Sequence, residues 1–187
     1  SYRWYATNEN GMGWTPAATF VTGDVPPGGG TNVIHIKRDA TGAADGSDWV
    51  NAYTKISDAL GAISGSRTNL WITGGTYSEG VRLALGASAV LFGGFAGSEA
   101  AVSQRALTNA LGVVTNYTAI NGEGSHGGLR IASGNVWVDS MVFTNCTSSD
   151  SVSFHGLEYA GAGTLVANNC RFVKNFSPAS YNYHGLG

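Results

Sequence analysis

Residues 126–172 read HGGLRIASGNVWVDSMVFTNCTSSDSVSFHGLEYAGAGTLVANNCRF, and this stretch repeats itself. His126-Gly127-Gly128-Leu129, His155-Gly156-Leu157 and His184-Gly185-Leu186 mark successive units, with the histidines 29 and again 29 positions apart. Gly134 to Phe143 lies 29 positions before Gly163 to Phe172, and their apolar positions correspond. A period of about 20–50 residues, built of strands and turns without a second helix, marks units that bury an apolar face only by stacking. The prediction is an all-β chain, a right-handed parallel β-helix (solenoid) in which equivalent residues of adjacent coils lie about 4.8 Å apart and like side chains form ladders. Phe143 is expected over Phe172. Met141 is expected over Cys170, which puts Cys170 inside as a small hydrophobe. Cys146 falls further along the preceding coil, so a bridge to Cys170 needs an intervening corner and is left open.

Upstream of the repeat the same texture continues. Val33 to Lys37 reads as a strand, followed by the Gly- and Asp-rich loop Asp39 to Gly46. Trp49, Ala52, Tyr53, Ile56, Ala59, Leu60 and Ile63 then fall on one helical stripe, which predicts a capping helix over about 48–63 with Ser47 or Asp48 as N-cap. Leu70 to Thr73, Val81 to Leu83, Ala89 to Phe92 and Val113 to Ile120 are short strand-like runs separated by Gly74-Gly75, Gly86 and Gly93-Gly94.

Residues 2–7 and 14–21 flank the turn-rich Asn8 to Gly13 and predict a hairpin appendage over 1–22. A lone two-stranded hairpin is marginal in water, so it needs an upstream domain or another sheet to pair with. Residues 23–32 carry Pro26-Pro27 and Gly28-Gly29-Gly30 and read as a linker; the β-helix unit is then 33–187. The chain begins at Ser1 without Met or leader, so it is expected to be a processed product or a segment of something longer.

Only 12% of the chain is charged while 28 of 187 residues are Gly, a bias toward turn-rich β structure. Ten scattered Lys and Arg against a net charge of -2 argue against nucleic acid or an anionic membrane as partner. No apolar run reaches the roughly 20 residues a membrane helix needs, so no membrane insertion is expected.

Two resemblances sharpen this. The stretch YRWYATNENGMGWTPAATFVT, within residues 1–22, resembles the last two strands of a fibronectin type III or related Ig-like domain. The segments IKRDATGAADGSDWVNAYTKISDALGAI, LWITGGTYSEG, VLFGGFAGSEAAVSQRAL and TAINGEG are similar to the N-terminal cap and first coils of bacterial secreted β-helix proteins related to the polymorphic outer-membrane protein repeat family. Gly127-Gly128-Leu129 approximates that family's Gly-Gly-Ala-aliphatic motif, and Phe172-Val173-Lys174-Asn175 matches its Phe-x-x-Asn motif. Phe143-Thr144-Asn145-Cys146 departs from it with Cys in place of Asn, and His155-Gly156-Leu157 has lost a Gly. The resemblance implies an extracellular or cell-surface protein for adhesion, anchoring or self-association, with no cofactor.

Candidate chemistry is thin. His126, His155 and His184 share one register but lack an accompanying carboxylate or Cys, so they read as turn-flanking residues and not as a metal ladder. Asp39, Asp45 and Asp48 have no calcium-loop spacing and read as turn and cap residues. A β-helix lyase or glycosidase needs grouped carboxylates or acids with a base, whereas the coils offer Asp139, Glu158, Arg130, Arg171 and Lys174. Glu158 and Arg130 are expected one register apart and facing different ways, and Asp139 is expected to form an outward ladder with Asn168. No catalytic, cofactor or metal residue is therefore assigned, and the chain is not expected to be an enzyme. Asn116, Asn145 and Asn175 head glycosylation sequons.

Tyr181 to Gly187 begins a further coil, and an open coil end is a template for another strand layer. The expected function is a structural or adhesive component of an extracellular surface layer or fibre, partnered with itself end to end or by strand addition, the hairpin being a candidate donor strand pair. The alternative is a carbohydrate-binding or carbohydrate-active β-helix with cell-surface glycans as partners and Trp4, Trp14, Tyr117, Tyr181 and Tyr183 as stacking platforms.

Overall fold

The computed structural model describes residues 5–8, 11–14, 32–108, 115–147 and 156–176. β1 (Tyr5–Asn8) and β2 (Gly11–Trp14) form an antiparallel hairpin, pairing Tyr5 with Trp14 and Asn8 with Gly11. Then come β3 (Val33–Ile36), α1 (Ile56–Gly61), β4 (Asn69–Thr73), β5 (Gly75–Ser78), β6 (Leu83–Leu85), β7 (Ala89–Phe95), a 3-10 turn (Val102–Gln104) and β8 (Thr118–Asn121). β9 (Leu129–Ile131), β10 (Val136–Asp139), β11 (Met141–Thr144), β12 (Leu157–Tyr159), β13 (Leu165–Asn168) and β14 (Arg171–Val173) follow. Parallel sheet dominates and helix is minor, so the chain is all-β.

The strands after β2 form three parallel sheets, ordered β13-β10-β7-β4-β3, β14-β11-β8-β5 and β12-β9-β6. From β4 onward the chain visits the three sheets in a fixed cyclic order, each strand pairing with the one three places later. Pairing keeps like residues in line: Ile34, Leu70, Leu91, Val138 and Ala167 share one register row, and Tyr77, Ile120, Phe143 and Phe172 another. The Phe143 and Phe172 rings stack with centroids 5.4 Å apart and planes 13° from parallel, as the 29-residue period predicts. These rows, with Leu83, Leu129 and Leu157 from the third sheet, merge into one apolar interior. Met141 lies fully inside and Cys170 packs against the same interior, half-buried.

Corner geometry explains the period. Left-handed backbone recurs at Gly134 and Gly163 (φ 98° and 135°), at Ser140 and Asn169 (φ 57° and 50°) and at Asn145 and Lys174 (φ 52° and 55°). The members of each pair are 29 residues apart, so successive circuits bend at equivalent places. Only Gly fits the first corner: a Cβ on Gly163 would lie 2.5 Å from the Gly134 carbonyl oxygen, and one on Gly134 the same distance from the Ser88 nitrogen.

The helix is shorter than its apolar stripe predicts, Ile56–Gly61 in place of about 48–63, and neither Ser47 nor Asp48 caps it. Asp48 instead accepts the Val50 and Asn51 N–H groups (2.8 and 2.7 Å), closing a local turn. Residues 46–53 are drawn onto the free edge of β3, with His35 N–H donating to Gly46 O (3.0 Å), Tyr53 N–H to His35 O (2.9 Å) and Lys37 N–H to Tyr53 O (2.8 Å). Backbone so committed cannot close helical bonds. Trp49 accordingly leaves the stripe and packs on the outer face with Val33, Trp71, Phe92 and Phe95, while Ile56, Ala59 and Leu60 enter the interior. The helix N-terminus is satisfied from across the chain by Glu79, which accepts Ile56 N–H (2.7 Å), Ser57 N–H (3.3 Å) and the Ser57 hydroxyl (2.7 Å). Gly74-Gly75, read as a turn, also opens the unanticipated strand β5.

Because Phe143 is wholly buried in the ring row, Phe143→Ala is expected to lose about 3–5 kcal/mol of stability. Phe176, which is 44% exposed, supplies the control: Phe176→Ala is expected to change stability by less than about 0.5 kcal/mol. Urea unfolding of both variants measures the contrast.

Candidate functional site

The two ends of the sheets differ. At the β3 end every sheet edge has a cover: residues 46–53 bond along β3, Arg38 Nη1 donates to Thr76 O of β5 (3.0 Å), and α1 lies against β6 with its apolar side chains in the interior. At the other end, among the described residues, no strand pairs beyond β12, β13 or β14. Thr164 and Asn168 carbonyls accept from Val136 and Ser140 N–H, so they point back toward β10. In a strand the peptide groups alternate, and Leu165 and Ala167 therefore direct their N–H and C=O groups to the open side. Leu165, Ala167, Cys170 and Phe172 continue the interior apolar rows but are only half-buried. Among the described residues these backbone groups have no partner, and with the partly exposed apolar side chains beside them they form a surface suited to another strand layer.

This end is locked to the circuit beneath it. Asn175 donates Nδ2–H to Phe143 O (3.0 Å) and accepts Cys146 N–H on Oδ1 (2.9 Å). That is the work done by the Asn of Phe172-Val173-Lys174-Asn175: it bonds across to the preceding corner and satisfies two backbone groups there. Where Cys146 replaces Asn, the thiol is buried in the interior instead. Asn116, another sequon residue, has its amide N–H on Gly94 O (2.7 Å), so both amides serve internal bonds.

The predicted site residues are scattered, with one correction. Glu158 and Arg130 are direct register partners on the outer face of the third sheet and face the same way, with Arg130 Nε 3.4 Å from Glu158 Oε1. The loss of one Gly at His155-Gly156-Leu157 shortens the period there, pairing Leu157 with Leu129 at a spacing of 28 and bringing the charges into line. Arg82 also pairs with Glu158, so one carboxylate is shared by two guanidinium groups. Asp139 and Asn168 do stand in one outward row and bond to each other, but Asp139 is buried, under Arg105. Arg105 reaches Asp139 Oδ1 at 3.0 Å and Gly93 O at 2.8 Å, and lies over the Phe92 and Phe95 rings. The Ser140 hydroxyl donates to the same carboxylate oxygen at 2.6 Å. This network holds the segment after β7 against the sheet; it leaves Asp139 no room to act as a free acid or base.

His126 bonds through Nδ1 to Gly127 O (3.0 Å) and sits 3.6 Å from Glu123; His155 and His184 lie outside the described residues. Asp39 stands 4.0 Å from Lys37, and Asp45 accepts Ser47 N–H (2.8 Å), each serving its own turn. The Asn51 N–H bond holds the Asp48 carboxyl below its usual range. Among the described residues no three His, Cys, Asp or Glu side chains group as metal ligands, and no helix is long and apolar enough to cross a membrane. Arg171 lies over the Tyr117 ring at 5.8 Å, covering one proposed platform. Lys174 is an exposed corner residue. Trp4, Tyr181, Tyr183 and the side chain of Trp14 lie outside the described residues.

Cys146 and Cys170 are free thiols, and burial pushes both up to about 11. A thiol pKa raised by folding contributes stability that is present below the unfolded value, near pH 9, and is lost as pH rises toward the folded one. The native chain is therefore expected to react slowly with a thiol reagent at pH 8 and rapidly once unfolded in urea. Stability should also decline between about pH 9 and 11, less steeply in the Cys146→Ala/Cys170→Ala variant, as followed by urea midpoints across that range. No family model, curated protein or solved structure matches this chain.

Proposed function

We propose that this chain is a right-handed parallel β-helix acting as a structural or adhesive component of an extracellular surface layer or fibre, self-associating through the end formed by β12, β13 and β14. The observation that carries the reading is the inequality of the two ends: sheet edges covered by chain at the β3 end, and strand edges with half-buried apolar rows at the other. The cyclic strand order and in-register rows support the β-helix assignment. A covered end cannot accept a strand layer, so identical open ends would join copies only in pairs. Continued growth needs a second contact, which the β1–β2 hairpin supplies by adding to the open edge of a neighbouring copy. A carbohydrate-binding β-helix is the second reading, favoured by a polar cleft of about 650 Å³ near the covered end.

Sedimentation velocity and electron microscopy over a concentration series test the primary reading. Concentration-dependent assemblies are expected, and their loss on deleting residues 1–22 would identify the hairpin as donor. Ala167→Pro removes an N–H from the open edge without touching the bonds to β10, and is expected to abolish association while the melting curve keeps its shape. A chain that stays monomeric at high concentration overturns the assembly claim.

A further inference from the structure

The cleft near the covered end is built from consecutive passes of the chain. Lys37, Arg38 and Asp39 follow β3, Thr73 and Gly74 join β4 to β5, Phe95 and Ala96 end β7, and Asn116 precedes β8. Its volume, about 650 Å³, is within the range of about 300–1,000 Å³ typical of small-molecule sites. Its lining is polar, and Phe95 is almost wholly buried, so no exposed ring face is offered for stacking.

The hydrogen-bonding groups divide into those already used and those left for a ligand. The Thr73 hydroxyl is taken by the Tyr77 phenol at 2.8 Å, and the Asn116 amide donates one N–H to Gly94 O at 2.7 Å. Arg38 uses Nη1 on Thr76 O at 3.0 Å, leaving further guanidinium hydrogens. Among the described residues Lys37 pairs with the Asp39 carboxylate, 4.0 Å away and itself 83% exposed, a long and solvent-screened pair. Asn116 Oδ1 stands over the bare α-carbon of Gly74, where a Cβ would meet it at 1.9 Å. The absence of a side chain at Gly97 likewise leaves room beside the Lys37 stem, 3.3 Å from where its Cβ would be.

The cleft thus presents two cations against one carboxylate on a chain whose net charge is -2, together with an amide oxygen that accepts. We propose that it binds a small hydroxyl-bearing carboxylate of the sugar-acid class, the carboxylate at Lys37 and Arg38 and a hydroxyl donating to Asn116 Oδ1. One negative charge matches the local surplus of one positive charge. Inorganic sulfate fits less well, because as a fully deprotonated dianion it brings no hydrogen for the Asn116 oxygen. The assignment deepens the carbohydrate-binding reading and rests on it; it is independent of self-association, because the cleft lies away from the open end.

The test is calorimetric titration of the whole chain with glucuronate, with glucose as the neutral analogue and inorganic sulfate as the anion lacking a donor. Saturable glucuronate binding stronger than that of either control is expected. Lys37→Met keeps the apolar stem and should weaken glucuronate binding about tenfold, the scale of one charge-assisted contact. Asp39→Asn removes the competing carboxylate at an exposed position and should tighten it. The proposal is overturned if glucuronate does not saturate, if glucose or sulfate binds as tightly, or if Lys37→Met and Asp39→Asn leave its affinity unchanged. A chain that binds glucuronate yet stays monomeric supports this site and rejects self-assembly; a chain that assembles without binding does the reverse.

Discussion

Stacking of like side chains on adjacent circuits is the interaction on which the rest depends. A circuit of short strands has too little surface to bury its own apolar row; Phe143 becomes fully buried only because Ile120 lies on one side of it and Phe172 on the other. That contact requires neighbouring circuits to keep the same length between corners, which the left-handed residues at 134 and 163, 140 and 169, and 145 and 174 provide. Backbone and side chains are therefore coupled: a corner shifted by one residue would turn an entire row from the interior to the surface. The pairing of Leu157 with Leu129 shows the tolerance, since a residue lost outside the strands is absorbed by the connecting segment and the row survives.

A structure held this way has a weakness at each end of its rows, and the two ends meet it differently. At β3 the chain supplies unlike elements to like edges: extended backbone along β3, a guanidinium on β5, a short helix against β6. Glu79 ties that helix to the turn after β5, so the cover and the first circuit are one hydrogen-bonded unit. At β13 and β14 the described residues supply only the internal lock of Asn175, which satisfies the corner below and leaves the outer edge as it is.

How much of this is legible in the sequence follows from what each contact depends on. The Phe143–Phe172 stack and the Asp139–Asn168 row follow from periodicity alone, because stacking translates a fixed spacing directly into proximity. The helix does not: seven residues at helical spacing are present, but the free edge of β3 competes for the same backbone, and an edge is a property of the assembled sheet. Glu79 and Arg105 are invisible for a related reason, since each bonds to a residue more than twenty positions away and neither of the two belongs to the repeat. The Arg130–Glu158 alignment departs from the 29-residue period because the spacing across that gap is 28.

The same distinction separates the two surfaces proposed to carry function. The open end is a consequence of repetition, and any residue in the repeat reports on it through its position in a row. The cleft lies outside the 29-residue repeat: its residues come from the turn after β3, from two corners and from the segment before β8, and Thr73 and Phe95 are paired across β4 and β7. Lys37 and Arg38 are adjacent in sequence yet do different work, Arg38 bonding to the edge of β5 while the stem of Lys37 lies against Gly97. A guanidinium with five hydrogens can close a sheet edge and still face solvent with the remainder, whereas an ammonium beside a weakly held carboxylate is free to exchange that partner for another. Covering a sheet edge and presenting charge at the cleft are thus compatible in one turn, because the bond from the Arg38 guanidinium to Thr76 O also fixes the side of the cleft on which that charge stands.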